Sequence, residues 1–339
     1  MAEQMSTVQL LSGLKAAGET TRLRLLALLA SGELNVKDLT RILGQSQPRI
    51  SRHLKLLTEA GLIERFREGS WVFFRLAGGG GSGDLARAIV NSLDASDPDL
   101  ERDRARAEAV MRERAETAQA YFKEHASEWD VIRSLHVAED EVEQAMLDAM
   151  GAGPFKFFVD LGTGTGRMLE LFASRAKRAV GVDINRDMLA YARAKLEAAN
   201  LSHCQVRQGD LFSLSFADGE VDAVVLHQVL HFLDDPASAL NEAARILGPG
   251  GKLLVVDFAP HELEFLRETH AHRRLGLEPG QVADWIASSG LKLAARCDMD
   301  PHSDEANGKL TVSLWLAEKA GGPAAPTKRR RTGNLEAAQ

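Results

Sequence analysis

Apolar positions recur at helical spacing through the first sixty residues, and then the period changes. In TTRLRLLALLAS (Thr20 to Ser31) the leucines fall three and four apart, which predicts an amphipathic helix with Thr20 or Thr21 at its cap. A second short helix, NVKDLTRILG, is expected to stop at Gly44, a residue type suited to the left-handed position that follows a helix. A third, SQPRISRHLKLLTEAGLI, opens on Ser46 with Pro48 in its first turn and places Ile50, Leu54 and Leu57 on one face. LIERFREGSWVFFRL then alternates around EGS and reads as a β-hairpin. Two helices joined by a tight turn and followed by a hairpin predict a winged helix-turn-helix.

The remainder divides at its punctuation. GGGGSG (Gly78 to Gly83) is expected to be a flexible break. The charged segment from Asp84 to about Glu128, rich in Ala, Arg and Glu, reads as helix interrupted near Asp97 to Asp99. Its Leu85, Ile89, Val90 and Leu93 are candidate dimer contacts. FFVD (Phe157 to Asp160) is a buried-strand run, GTGTG a tight turn, RMLELFAS a helix and AVGVD a second strand ending on Asp183. This strand, glycine turn, helix, strand and acid is a nucleotide-binding arrangement. VRQGD, then VDAVVLHQVLHFLDD, LGPGGKLLVVDF, LKLAARC and LTVSLWLAEK, continue the α/β alternation. The expected organisation is a winged helix-turn-helix over 1–77 and linker helices over 78–119. An α/β Rossmann-like domain over 120–320 and a disordered tail over 321–339 complete it. KRRR in that tail is read as solvated.

Length supports two domains: 339 residues exceed a single ordinary core. Met1 to Leu76 holds 11 Lys and Arg against 7 Asp and Glu, a charge of +4, which leaves −11 for the rest of a chain whose net charge is −7. A basic module on an acidic body suits nucleic-acid contact. There is no membrane-length apolar run and no signal-peptide pattern. The two cysteines, Cys204 and Cys297, form neither a metal spacing nor a disulfide framework. These features predict a cytoplasmic protein.

The stretch from Leu14 to Leu76, and SQPRISRHLKLLTEAGLI above all, resembles the ArsR/SmtB family of winged-helix repressors. That resemblance implies a homodimer on palindromic, double-stranded operator DNA, released by a ligand. Arg and Gln near the start of a recognition helix read base edges, and Ser binds phosphate. The expected DNA contacts are Ser46, Gln47, Arg49, Ser51, Arg52 and His53, with Arg65, Arg67 and Arg75 of the hairpin on phosphates. The family's metal box ELCVCDL stands here as ELNVKDL, so Asn35 and Lys37 replace the two thiolates that a soft metal needs. No metal is expected.

DLGTGTG, GVDINRDML, GD and LGPGG, in that order and spacing, resemble class I methyltransferases, most closely the UbiE-like branch. That resemblance implies a seven-stranded sheet with a terminal antiparallel hairpin, and S-adenosylmethionine (SAM) or S-adenosylhomocysteine (SAH) as ligand. It places Gly162 and Gly164 against the methionine part, Asp183 on the ribose hydroxyls, Asp210 and Leu211 around the adenine, and Asp160 behind the glycine loop. Thr163, Gly166, Ile184, Met188 and His227 complete the expected cofactor contacts. His227 and His231 are the candidate catalytic bases for a small-molecule substrate, four apart and so on one face if helical; a core or capping role is equally open. Arsenite methylation, which needs several thiolates, is set aside. The function expected is an ArsR-type regulator that senses SAM or SAH and controls methionine and SAM metabolism. The alternative is an active methyltransferase whose wing regulates its own expression.

Overall fold

In the first sixty residues the chain folds as the apolar spacing predicts. The computed structural model describes residues 5–68, 71–78, 80–126, 129, 139–300 and 310–321. Helices α1 (Thr7–Ala17), α2 (Thr20–Ala30), α3 (Val36–Leu43) and α4 (Gln47–Glu59) precede a hairpin of β2 (Ile63–Glu68) and β3 (Trp71–Leu76). A two-residue strand, β1 (Leu34–Asn35), pairs antiparallel with β3. Leu25, Leu39, Ile42, Ile50, Leu54 and Leu57 are fully buried and form the core of this unit. Gly44 closes α3 in the left-handed region at φ 64°. The cap of α2 is Glu19, whose carboxylate accepts from the Arg22 amide, while Thr21 is buried.

Where the metal box would lie, Asn35 instead caps α3. Its Oδ1 accepts from the Asp38 amide at 3.0 Å, and Asp38 reaches back to the Asn35 amide. Lys37 points to solvent.

Within the glycine stretch, residues 80–83 are helical. Gly80 opens α5 (Gly80–Asn91), whose Ala86 is fully buried and whose Leu85, Ile89 and Val90 pack against the winged-helix core. Those three side chains, expected with Leu93 as dimer contacts, are partly buried against the chain's own core. Helix α1 also carries exposed apolar side chains, at Val8, Leu11 and Leu14. Helix α6 (Pro98–His125) is capped by Asp97, whose carboxylate accepts from the Asp99 and Leu100 amides. At 28 residues it spans roughly 42 Å. Its first half completes the winged-helix core with Ala107 and Val110. It is held there by a two-pronged ion pair from Arg24 to Asp103, at 2.5 and 2.6 Å.

The second unit is a seven-stranded sheet. Its strands are β4 (Phe158–Leu161), β5 (Ala179–Asp183), β6 (Cys204–Gln208), β7 (Val221–His227), β8 (Leu247–Phe258), β9 (Leu291–Met299) and β10 (Val312–Lys319). The spatial order is β6-β5-β4-β7-β8-β10-β9, with β10 antiparallel to both neighbours and the other described pairs parallel. This is the Rossmann-like sheet with its terminal hairpin. Both faces are covered, so the central strands are buried almost throughout: β4 at every position, Asp160 included, and β7 except at Asp222. Helices α7 (Glu139–Met150), α8 (Arg167–Phe172), α9 (Arg186–Ala198), α10 (Pro236–Ile246), α11 (Phe265–Thr269) and α12 (Pro279–Ser288) complete it. Strand order reverses at β4, between β5 and β7, and such a switch point opens a crevice at the strand ends. The KRRR run lies outside the described residues.

Candidate functional site

Helix α4 presents a polar face. Ile50, Leu54 and Leu57 point inward, while Ser46, Gln47, Arg49, Ser51 and Arg52 are exposed together at its N-terminal half. Ser46 occupies the cap position without making a side-chain cap bond, so its hydroxyl is left to the surface. His53 is turned the other way: its Nδ1 lies 3.6 Å from Glu19, with 12% of its side chain exposed. Burial lowers its pKa. Of the hairpin arginines, Arg65 is exposed, the Arg67 side chain lies outside the described residues, and Arg75 is engaged by Glu64 at 2.9 Å and Glu33 at 3.4 Å. Sequence reasoning offered Arg75 for phosphate; the structure commits it to internal ion pairs.

At the sheet's switch point lies a cavity of about 230 Å³. Every cofactor contact expected from the sequence lines it except Gly166. Gly166 sits behind the loop at φ 86°, where a Cβ would press on Ala192 of α9. The glycine loop is shaped by close approach. Gly162 has φ 74°, and a Cβ there would stand 2.5 Å from Val229. Gly162→Ala should therefore cost about 1–2 kcal/mol of stability and weaken ligand binding; an unchanged melting temperature would show that the loop relaxes freely.

Asp183 ends β5 and organises the loop. Its carboxylate accepts from the Gly164 amide at 2.9 Å and the Asn185 amide at 2.8 Å. Burial raises its pKa, opposed by those backbone bonds. Asp160 is buried behind the loop, and Asp210 is exposed at the end of β6 with its Oδ1 accepting from the Phe212 amide. Ile184 and Phe212, both apolar and exposed, flank the strand ends where a flat base would lie. A carboxylate at the second strand end, glycines at the first and apolar walls between them suit an adenosyl ligand, whose hydroxyls would meet Asp183 and whose base would meet the apolar walls.

The two histidines are not on one helix. His227 ends β7 and lines this cavity, whereas His231 lies in a short 3₁₀ turn beside a second, much smaller cavity of about 30 Å³. His231 is 1% exposed, and its Nδ1 is 2.6 Å from the buried Asp257 carboxylate. Its Nε2 has no hydrogen-bond partner among the described residues.

Sequence reasoning missed most of the far wall of the cavity, which comes from Gln119 and Phe122 on α6 together with Trp129 and Phe232; Arg273, one of two adjacent arginines that the sequence offers to an acidic substrate or to the winged-helix unit, also lines it. Gln119 is tied to the ribose-side loop, since its Oε1 accepts from Asn185 Nδ2 at 3.0 Å. Arg273 pairs with Asp234, another wall residue. Its neighbour Arg274, 7% exposed, pairs with Glu33 of the winged-helix unit at 2.5 Å, and Gln281 donates to the same carboxylate at 2.7 Å.

Comparison with known proteins agrees with both halves. Residues 19–65 match the bacterial regulatory protein, arsR family, and residues 159–255 match a methyltransferase domain family. An uncharacterized 37.1 kDa protein of transposon TN4556 from Streptomyces fradiae is 39% identical over 116 residues, 33% of each chain. Demethylmenaquinone methyltransferase from Thermus thermophilus is 40% identical over 107 residues, which is 31% of this chain and 48% of that one. The chain thus spans a third to a half of the length of these two curated relatives. A chain of the complex between the Haloferax volcanii Trm112 methyltransferase activator and a methyltransferase superposes with TM-score 0.50 at 21% identity. That match covers 61% of this chain and all of that one, a likeness of fold. The chain joins an ArsR-family helix-turn-helix to a methyltransferase domain, a kind of domain that takes SAM or SAH.

Proposed function

We propose that this protein is a cytoplasmic, homodimeric transcription regulator whose operator binding responds to SAM or SAH, with genes of methionine and SAM metabolism as its targets. The observation that carries this reading is physical continuity between the two sites. Helix α6 contributes Ala107 and Val110 to the winged-helix core and, three to four turns later, Gln119 and Phe122 to the cavity wall. A ligand that shifts α6 acts on both. Ligand shifts the DNA-binding form only by its difference in affinity for the two forms, and a tenfold change needs about 1.4 kcal/mol. The effect must be reciprocal, so operator DNA must change ligand affinity by the same factor.

The test is operator binding, measured on DNA upstream of the protein's own coding region, with no ligand, with SAM and with SAH. The expected result is a change of tenfold or more with one of them. Equal affinity in all three conditions sinks the reading. The Glu33 contact supplies a second check. Glu33→Gln is expected to leave calorimetric ligand affinity within about twofold while reducing the ligand's effect on operator binding several-fold, because the charged link to Arg274 is lost. Full retention of the response would remove Glu33 from the coupling.

A second reading, methyl transfer to a small molecule, is favoured by the His231–Asp257 pair, in which the carboxylate orients the imidazole and leaves Nε2 to accept a proton. The 30 Å³ cavity beside it holds about two waters, so an acceptor would need the aromatic wall to move. Transfer of labelled methyl from SAM to a metabolite extract tests this directly, and loss of that transfer in His231→Gln would assign the base.

A further inference from the structure

Three aromatic rings meet at the wall facing the glycine loop. Phe122 of α6 lies 4.9 Å from Phe232 at an interplanar angle of 81° and 5.2 Å from Trp129 at 84°. Trp129 and Phe232 are 6.2 Å apart at 50°. All three are half-buried and line the ligand cavity. Rings set nearly at right angles form a corner, not a stack, and a corner gives a guest more than one π-face. The Trp129 indole nitrogen stands 3.5 Å from where a Gly164 Cβ would be, so the indole lies directly over the loop against which the methionine part of an adenosyl ligand is placed.

We propose that Phe122, Trp129 and Phe232 read the charge at the ligand's sulfur. SAM carries a sulfonium cation there, and SAH carries a neutral thioether. Aromatic faces attract a cation through their quadrupole, and the attraction strengthens when water is excluded. The two ligands share adenine, ribose, amine and carboxylate, so Asp183, Asp210 and the glycines treat them alike. A charge-selective contact must lie where they differ, and the aromatic corner is the apolar, π-rich part of this cavity next to the glycine loop. Phe122 places that contact on α6, so the charge is read on the helix that reaches the winged-helix core. The inference rests on the reading above and deepens it by naming SAM as the favoured ligand and these rings as the discriminator.

Calorimetry on the full chain, with SAM and SAH in parallel, tests it for the wild type and for Trp129→Leu and Phe232→Leu. The expected result is a preference for SAM of about tenfold in the wild type, reduced several-fold in each variant because SAM affinity falls more than SAH affinity. Leucine keeps the wall apolar while removing the π-face, and circular dichroism confirms that each variant is folded. Three results overturn the proposal: equal wild-type affinity for the two ligands, a preference unchanged in both variants, or equal weakening of both ligands, which would mean the rings only pack. A wild type that binds neither ligand would instead sink the adenosyl pocket itself. A wild type that binds both but leaves operator affinity unchanged would sink the regulatory reading and leave the discriminator standing.

Discussion

Asp183→Ala is expected to raise the dissociation constants for SAM and SAH at least a hundredfold. A carboxylate that accepts from two ribose hydroxyls makes charge-assisted hydrogen bonds worth about 1.5–3 kcal/mol each, and a hundredfold corresponds to about 2.7 kcal/mol. The loss has a second source. The same carboxylate holds the Gly164 amide and the Asn185 amide, so its removal leaves the glycine loop and the Asn185 turn without their common acceptor. Asn185 in turn reaches Gln119 of α6, so ligand response at the operator should vanish with ligand affinity. Asp183→Asn separates the effects: a neutral amide oxygen can still accept from one backbone donor but grips the hydroxyls less strongly. Calorimetry with either ligand is the measurement, and an alanine variant that binds normally would mean the cavity is not an adenosyl site.

The second large effect is expected on α4. Arg49→Ala with Arg52→Ala should lower operator affinity by a factor on the order of a hundred or more, since each arginine that meets a base edge contributes about 1–3 kcal/mol of discrimination. Any contact made to phosphate instead should reduce the slope of log affinity against log salt by about 0.9. Both side chains are exposed, so the melting temperature should barely move. His53→Ala and Arg75→Ala should behave in the opposite way. Those side chains face Glu19 on one side and Glu64 and Glu33 on the other, so their loss is expected to touch stability before DNA binding. Fluorescence anisotropy over a salt series, beside thermal melts of the same variants, distinguishes the two patterns.

The parts of this architecture that were legible in the sequence are those with local causes. Leucine spacing, Gly44 after α3 and the alternating hairpin are short-range effects, and each element formed where its pattern lay. The glycine loop and Asp183 were legible because close backbone approach and a strand-end acid leave a compact signature. The misreadings share a different cause. The glycine stretch looked like a break because propensity was weighed without the packing of Ala86 and its neighbours, which holds α5 in place. Arg274 was open to a contact with the winged-helix unit, but its partner Glu33 is 241 residues away and nothing local to Glu33 announces the pair. The partner of His231 is Asp257, 26 positions away on β8, and the spacing of four suggested a shared helix face with His227 that the turn does not provide. The aromatic wall was missed for the same reason: Phe122 reads locally as one apolar position in a charged helix.

Helix α6 belongs to both halves, and this restricts how such a chain can be rebuilt by recombination. A cut in the glycine stretch would leave the winged-helix unit without Ala107, Val110 and the Asp103 anchor, and would leave the methyltransferase unit with a wall it no longer shares. Neither half is a cassette. A chimera that exchanges one methyltransferase unit for another must carry the whole of α6 with one parent and repair the seam with the other, so substitutions on the two flanks of that helix should be inherited together.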